Sequence, residues 1–278
     1  MFFHQLKGEL WKLFGKKRTY IGFLMFLLAQ NIFVVLFKFT RATHSMRATL
    51  EGNGYSVLDY VSTLTIATAL LFPVAHLLMP LYAALIGGDL VAKEAEDGTL
   101  RMILARPISR ARLLIIKWLA GAIFSVALVF VLGVFGILFA RFWFPWGGLF
   151  VFMPGEIFSV FDPATGLQHY IAAHSMLAFK AVSIMGLGFM FSCFNMKPAA
   201  ASILALSVLF INLVLQNIPF FKEFEHWFLT YHLNLWHLMF NHSIPWWRIW
   251  QSLSILAGFN VTFLVIGLAS FQVRDIKS

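Results

Sequence analysis

Six long apolar stretches, at residues 20–37, 64–86, 113–139, 176–194, 199–215 and 251–271, constrain this chain more than any other feature. A hydrocarbon core roughly 30 Å thick takes about 20 helical residues to cross, so each stretch is read as a transmembrane helix. Composition agrees: 60% of the 278 residues are hydrophobic and 12% are charged. A soluble domain carries about a quarter charged residues, so lipid is the solvent this much apolar surface requires. The expected fold is all-α and polytopic, with six transmembrane helices in a single domain spanning 1–278.

The placement of Lys and Arg sets an expected orientation. Lys7, Lys12, Lys16, Lys17 and Arg18 precede the first span, and Lys93, Arg101, Arg106, Arg110, Arg112 and Lys117 surround the connection between the second and third. Lys197, Arg274 and Lys277 fall on the same side, against Lys38, Arg41, Arg47, Arg141, Lys222 and Arg248 on the other. Cytoplasmic loops of membrane proteins carry the excess of positive charge, which places both termini in the cytoplasm. The net charge of +9 then reads as anchoring to anionic lipid. A nucleic-acid surface is disfavoured, because the basic residues flank spans and form no single patch. Trp143, Trp146, Trp227, Trp236, Trp246, Trp247 and Trp250 fall at the outer face, with Trp11 and Trp118 marking the inner one. Cys193 is the only cysteine and reads as a small buried apolar residue. The first apolar run is longer than a signal-peptide core and no small-residue cleavage site follows it, so it reads as a retained anchor.

Residues 1–18 have helical periodicity. Phe3, Leu6, Leu10, Leu13 and Phe14 recur at three- and four-residue spacing, predicting an amphipathic helix in the inner interface. The second span carries Pro73 and Pro80, which predict a kink. Two outer segments, 140–175 and 216–250, are rich in Pro, Gly and aromatic residues and are expected to form short helices capping the outer end.

The long polar run lies between the second and third spans. Asp89, Glu94, Glu96 and Asp97 fall within nine residues, Gly98 and Thr99 break the run, and Leu100, Ile103 and Leu104 form a short apolar stripe. Pro107 stops this segment and Ser109 is placed to cap the next helix, because its hydroxyl can accept from free N–H groups. The expected structure of 88–112 is a loop holding a short ordered helix that docks by its apolar stripe; the plainer alternative is a solvated charge run.

From Lys93 through Leu100, then Leu104 to Arg110 and Lys117, the pattern resembles the cytoplasmic loop of type-2 ATP-binding-cassette permeases. The shared features are an acidic pair, Gly-Thr-Leu, a Pro-x-Ser-Arg and a Lys at the start of the third span. The ending Phe271-Gln272-Val273-Arg274-Asp275-Ile276 is similar to the usual ending of that family. The resemblance implies the transmembrane subunit of a bacterial exporter in the inner membrane. A second permease, identical or paired, would complete the pathway, and separate cytoplasmic ATPase subunits would drive it, using ATP and Mg. On this reading the chain itself binds no cofactor, metal or nucleic acid. Asp89, Glu94, Glu96, Asp97, Gly98, Thr99, Leu100, Arg106, Pro107, Ser109 and Arg110 would couple it to the ATPase. The chain lacks a phosphate-cradling motif of its own. In the nearest approach, Gly15-Lys16, Leu10 stands where the first Gly belongs and Lys17 where the hydroxyl residue belongs.

The competing reading is a polytopic membrane enzyme whose Asp89, Glu94, Glu96 and Asp97 hold magnesium on a diphosphate, a chemistry that favours carboxylates. It lacks the second acidic motif such enzymes use. Protease signatures, His-Glu-x-x-His and Gly-x-Ser-x-Gly, are absent. Within the spans Lys180, His76 and Asn212 are candidate pathway groups. Lys180, placed about five residues from the outer boundary, reads equally as a lysine snorkelling to the interface. His76 and Asn212, with Asn31, His174 and Asn260, are expected mainly to hydrogen-bond between helices. His226, His232, His237 and His242 do not share a helical face and read as solvated. The small-residue pairs Gly121 and Ser125, Ala201 and Ala205, and Gly258 and Thr262 are candidate helix-packing points.

Overall fold

In lipid every backbone polar group must be satisfied within the protein, which favours helices that bond along their own length. The computed structural model describes residues 2–105, 108–153 and 157–274 and is helical over most of them. An N-terminal helix, α1 (Phe2–Gly15), turns at Lys16 into α2 (Lys17–Phe39). Two shorter helices, α3 (Ala42–Gly52) and α4 (Val57–Tyr60), lead to α5 (Thr63–Pro73). α5 continues through one π turn, Val74–Leu78, into α6 (Met79–Glu96). After α7 (Thr99–Leu104) come α8 (Arg110–Trp143) and a hairpin of β1 (Leu149–Met153) and β2 (Ile157–Phe161). Then follow α9 (Pro163–Ser192) and α10 (Pro198–Asn217), and the 3-10 stretch Pro219–Trp227. α11 (Leu229–Leu233), a second 3-10 stretch, Leu235–Phe240, and α12 (Trp246–Val273) complete the chain. Among the described residues, six helical segments are long and apolar enough to cross a membrane: Thr19–Phe39, Thr63–Glu96, Arg110–Trp143, Pro163–Ser192, Pro198–Asn217 and Trp246–Val273.

Several expectations change. The prolines of the second span widen the helix. Neither Pro73 nor Pro80 has an N–H for the i→i−4 ladder, and the π turn falls between them. The segment 140–175 is not a set of short helices. It holds the end of α8, the hairpin, and the first three turns of α9. β1 and β2 pair antiparallel in the register Leu149↔Phe161 to Met153↔Ile157. Aromatic and β-branched residues on both sides of Pro154-Gly155 favour strands; residues 154–156 themselves lie outside those described.

α9 begins thirteen residues before the expected start of the fourth span. Asp162 caps it, its carboxylate accepting from the N–H groups of Ala164 and Thr165 at 3.1 Å each, and Pro163 occupies the first turn. α9 is the central helix, packed against α6, α8, α10 and α12. Its closest crossing is with α6, where glycines replace side chains. A Cβ on Gly188 would lie 2.8 Å from the Ala84 carbonyl oxygen, and one on Gly87 2.8 Å from the Phe189 nitrogen. Gly121, Ser125, Ala201 and Ala205 are likewise buried between helices, whereas Gly258 and Thr262 are exposed on α12.

Candidate functional site

One end of the bundle carries α1, the α6–α8 connection and Arg274; it is called the charged end below. Here the acidic run is mostly helix, not loop, because α6 continues to Glu96 and places Asp89, Lys93 and Glu94 on its last turns. Gly98 then reverses the chain at φ +71°, a left-handed conformation that costs a residue with a Cβ about 1–2 kcal/mol. The Thr99 hydroxyl donates to the Glu94 carbonyl at 3.3 Å and closes this turn.

The four carboxylates do not converge. Glu96 and Asp97 turn outward to Lys93, at 2.8 and 3.0 Å. Glu94 turns inward and ion-pairs with Lys117 of α8 at 2.7 Å and with Lys12 of α1 at 3.3 Å. Glu9 of α1 closes a ring, accepting from Lys117 at 2.8 Å and from Lys12 at 2.6 Å. Asp89 lies further back along α6 and lines a small pocket together with Lys16 and Tyr82. This arrangement gives a magnesium diphosphate no common centre: of the run's carboxylates, Glu94, Glu96 and Asp97 already face lysines.

Lys117 is 1% exposed, so its charge is stable there only because two carboxylates face it. Burial acts to raise the Glu9 carboxyl, but Lys117 and Lys12 outweigh it and hold the group below the usual carboxylate range. Burial likewise acts to lower the Lys12 amine, and Glu9 and Glu94 reverse the sign and raise it. Three elements far apart in sequence are thereby tied together: α1, the end of α6 and the start of α8.

The apolar stripe of α7 is not offered outward. Leu100 is buried, and Ile103 and Leu104 pack half-buried on the core, because an amphipathic turn at the bundle's edge gains most by covering its own apolar neighbours. What α7 presents to solvent is Arg101 and Met102, the latter 67% exposed. Met102 and the exposed Trp11 of α1 border an open groove of about 690 Å³ that also reaches Glu94 and Asp97. Beyond α7, Arg106 and Pro107 lie outside the described residues. Ser109 caps α8, its hydroxyl accepting from Arg112 N–H at 3.3 Å. Arg110 donates to the carbonyls of Phe271, Gln272 and Arg274 at 3.0–3.3 Å, closing the end of α12. Arg274 in turn donates to the Phe194 carbonyl and Asn195 Oδ1, between α9 and α10, at 3.1 and 3.0 Å.

Sequence reasoning passed over Glu9 and Lys12 as groups on the polar face of an interfacial helix. Their i,i+3 spacing is legible, but nothing local announces a partner 108 residues away.

The candidate pathway residues divide. Lys180 and His76 line one cavity of about 290 Å³ between α6, α9, α10 and α11, and Asn234 lies in the same wall. Asn212 does not line it; its amide donates to the Val208 carbonyl and its Oδ1 accepts from Leu229 N–H, tying α11 to α10. Lys180 is 5% exposed and enclosed in the cavity wall, seventeen residues beyond Pro163 and about 26 Å along α9, so its side chain does not snorkel to the surface. Two other expectations also fail by burial. His232 is enclosed, with Nδ1 at 2.9 Å from Ser252 Oγ and Nε2 at 2.9 Å from the His226 carbonyl. Trp236 is 1% exposed, packed against Phe72 and His76 instead of a lipid headgroup layer.

A family model described as "ABC-2 family transporter protein" matches residues 12–276, nearly the whole chain. No curated protein matches it.

Proposed function

The chain belongs to the ABC-2 family of transporter proteins and is a multi-pass membrane transport subunit, and from that premise we propose that it is the permease of an exporter driven by a separate ATPase. Its charged end faces the cytoplasm, with both termini on that side, and receives the ATPase. The observation that carries this reading is the ion-pair ring of Glu9, Lys12, Glu94 and Lys117 behind the exposed edge of α7.

The working unit holds two permeases and two ATPases. ATP draws the ATPases together, and they press on Arg101, Met102 and the rim formed by Glu96 and Asp97. The ring carries that displacement to α1 and α8 in one step, and Arg110 carries it to the end of α12. The glycine crossing of α6 on α9 lets the second span pivot without side chains interlocking, while the π turn at Val74–Leu78 allows its outer half to respond separately.

The test is coexpression with the partner ATPase. Glu96→Ala and Gly98→Val are expected to insert into the membrane normally, yet to lose ATPase binding or transport per ATP hydrolysed. Gly98→Val should lose more, because valine resists the left-handed backbone. Undiminished binding together with undiminished transport in both variants would refute the coupling role.

A further inference from the structure

The cavity lined by Lys180 and His76 contains a feature that burial alone does not explain. Lys180 Nζ donates to Asn234 Oδ1 at 3.2 Å, and among the described residues this neutral amide is its one hydrogen-bond partner. A lysine ammonium has three N–H donors, and in so enclosed an apolar site it is favoured only where an anion or further acceptors meet it. Among the described residues no carboxylate lines the cavity; its walls are leucine, isoleucine, phenylalanine and proline apart from Lys180, His76, Thr230 and Asn234. The cavity opens past Leu77 and Phe210, which are 69% and 66% exposed on the apolar surface of the second and fifth spans. A polar floor with one lysine therefore lies behind an apolar mouth on the exposed apolar surface of two membrane-spanning helices. The π turn contributes to this shape, because it carries both Leu77 at the mouth and His76 on the wall.

We propose that this cavity binds an amphiphile with an anionic head, phosphate or carboxylate, and an alkyl chain. The head accepts from Lys180, with Asn234 and Thr230 close by, and the chain lies along Phe210 and Leu213 toward lipid. A tether between α9 and the segment carrying Asn234 would account for the hydrogen bond, but it would need neither the cavity nor a charged donor. The anion supplies the missing countercharge and acceptors together. The site is a property of this chain alone, so it stands or falls separately from ATPase coupling at the charged end.

The experiment uses the purified full chain in nanodiscs of phosphatidylcholine. Dodecyl phosphate and dodecanol, which share a chain and differ in the head, are titrated while bound stoichiometry and the thermal unfolding midpoint are read. Dodecyl phosphate is expected to bind one per chain and raise the midpoint, and dodecanol to bind at least about tenfold more weakly. Lys180→Met should erase that preference and Lys180→Arg should keep most of it. Leu209→Trp, which fills the cavity, should abolish binding of the phosphate even if Lys180→Met does not fold. Replacing part of the phosphatidylcholine by phosphatidylglycerol distinguishes the sources: competition identifies a bilayer lipid as occupant, and no competition a single-chain solute. Equal binding of phosphate and alcohol by the wild-type chain, or an unchanged preference in Lys180→Met, would overturn the assignment.

Discussion

The two ends of the bundle are held together by different chemistry. At the charged end, four ionised side chains from three helices meet around a fully buried lysine. At the opposite, aromatic end, neutral hydroxyls at the start of α5 tie it to backbone groups beyond α8. Ser62 donates to the Gly148 carbonyl at 2.5 Å and Thr63 to the Phe144 carbonyl at 2.9 Å, while Thr65 Oγ1 accepts from Phe150 N–H at 2.9 Å. Rings fill the remaining space: Tyr55 against Tyr60 and Phe158, and Trp236 against Phe72. Many small neutral contacts make a scaffold that tolerates the loss of one. The ring concentrates its attachment in a few charges, so displacing one member disturbs the other three. On the proposed function, that is the property expected of the end that meets the ATPase.

The contrast is broken most sharply by Lys117→Met. Glu9 and Glu94 would be left partly buried with only the half-exposed Lys12 between them, and breaking such a buried pair costs about 3–5 kcal/mol. Thermal or denaturant unfolding in detergent should show this as a large loss. A change under about 1 kcal/mol would mean that the ring adds nothing to the fold.

Thr65→Val is the matching change at the aromatic end. It strands the Phe150 N–H and removes a donor to the Tyr60 carbonyl, a loss of about 1–3 kcal/mol. Disulfide trapping or hydrogen exchange should place the loosening in the hairpin and leave α1 and α7 protected. Protection lost at both ends would mean that the two regions are one cooperative unit.

Gly98→Ala is expected to cost about 1 kcal/mol, from the left-handed backbone alone, since a Cβ there meets nothing within 4 Å. Unfolding of this variant beside Gly258→Ala, whose helical backbone suits alanine and whose Cβ also meets open space, isolates the conformational term.

The smallest effect is the dependence on pH. The Glu9 carboxyl is held below its ordinary value of 4.5, so its contribution is complete above that pH and fades as pH falls through the lower folded value. The Lys12 amine is raised above 10.5, so its contribution is complete below that pH and fades as pH rises through the higher folded value. The stability difference between wild type and Glu9→Gln should therefore be flat across neutral pH and shrink only in acid. The difference for Thr65→Val should not change with pH at all.

The six spans were legible because hydrophobic length is a local property that each stretch carries by itself. Their ends were not, since a helix keeps its hydrogen bonds after leaving lipid. Arg110–Trp143, about 51 Å long, overruns the bilayer at its charged and polar ends. The early start of α9 had a written signal in Asp162-Pro163, but Gly166, Gln168 and His169 dilute the hydropathy that would have drawn attention to it. The hairpin was hidden because phenylalanine beside proline and glycine reads equally as an aromatic loop. At the charged end the residue types pointed to an ordered turn with Gly98 at its corner. Which carboxylate faces inward was not written locally: Glu94 and Glu96 differ only by helical phase, and their partners come from α6, α1 and α8. For the same reason the burial of Lys180 was not legible, since the groups that enclose it come from α6, α10 and α11.

One measurement reaches the central claim directly, that the charged end is where the ATPase acts. Met102→Cys and Trp247→Cys, each in a Cys193→Ala background, place one thiol on the exposed edge of α7 and one at the aromatic end. An impermeant thiol reagent is applied to right-side-out and inside-out membrane vesicles, with and without bound ATPase. Met102→Cys should react only in inside-out vesicles and be protected when the ATPase binds, while Trp247→Cys should react only from the other face and be indifferent to the ATPase. Reaction of both thiols from the same face, or undiminished labelling of Met102→Cys under saturating ATPase, would contradict the account.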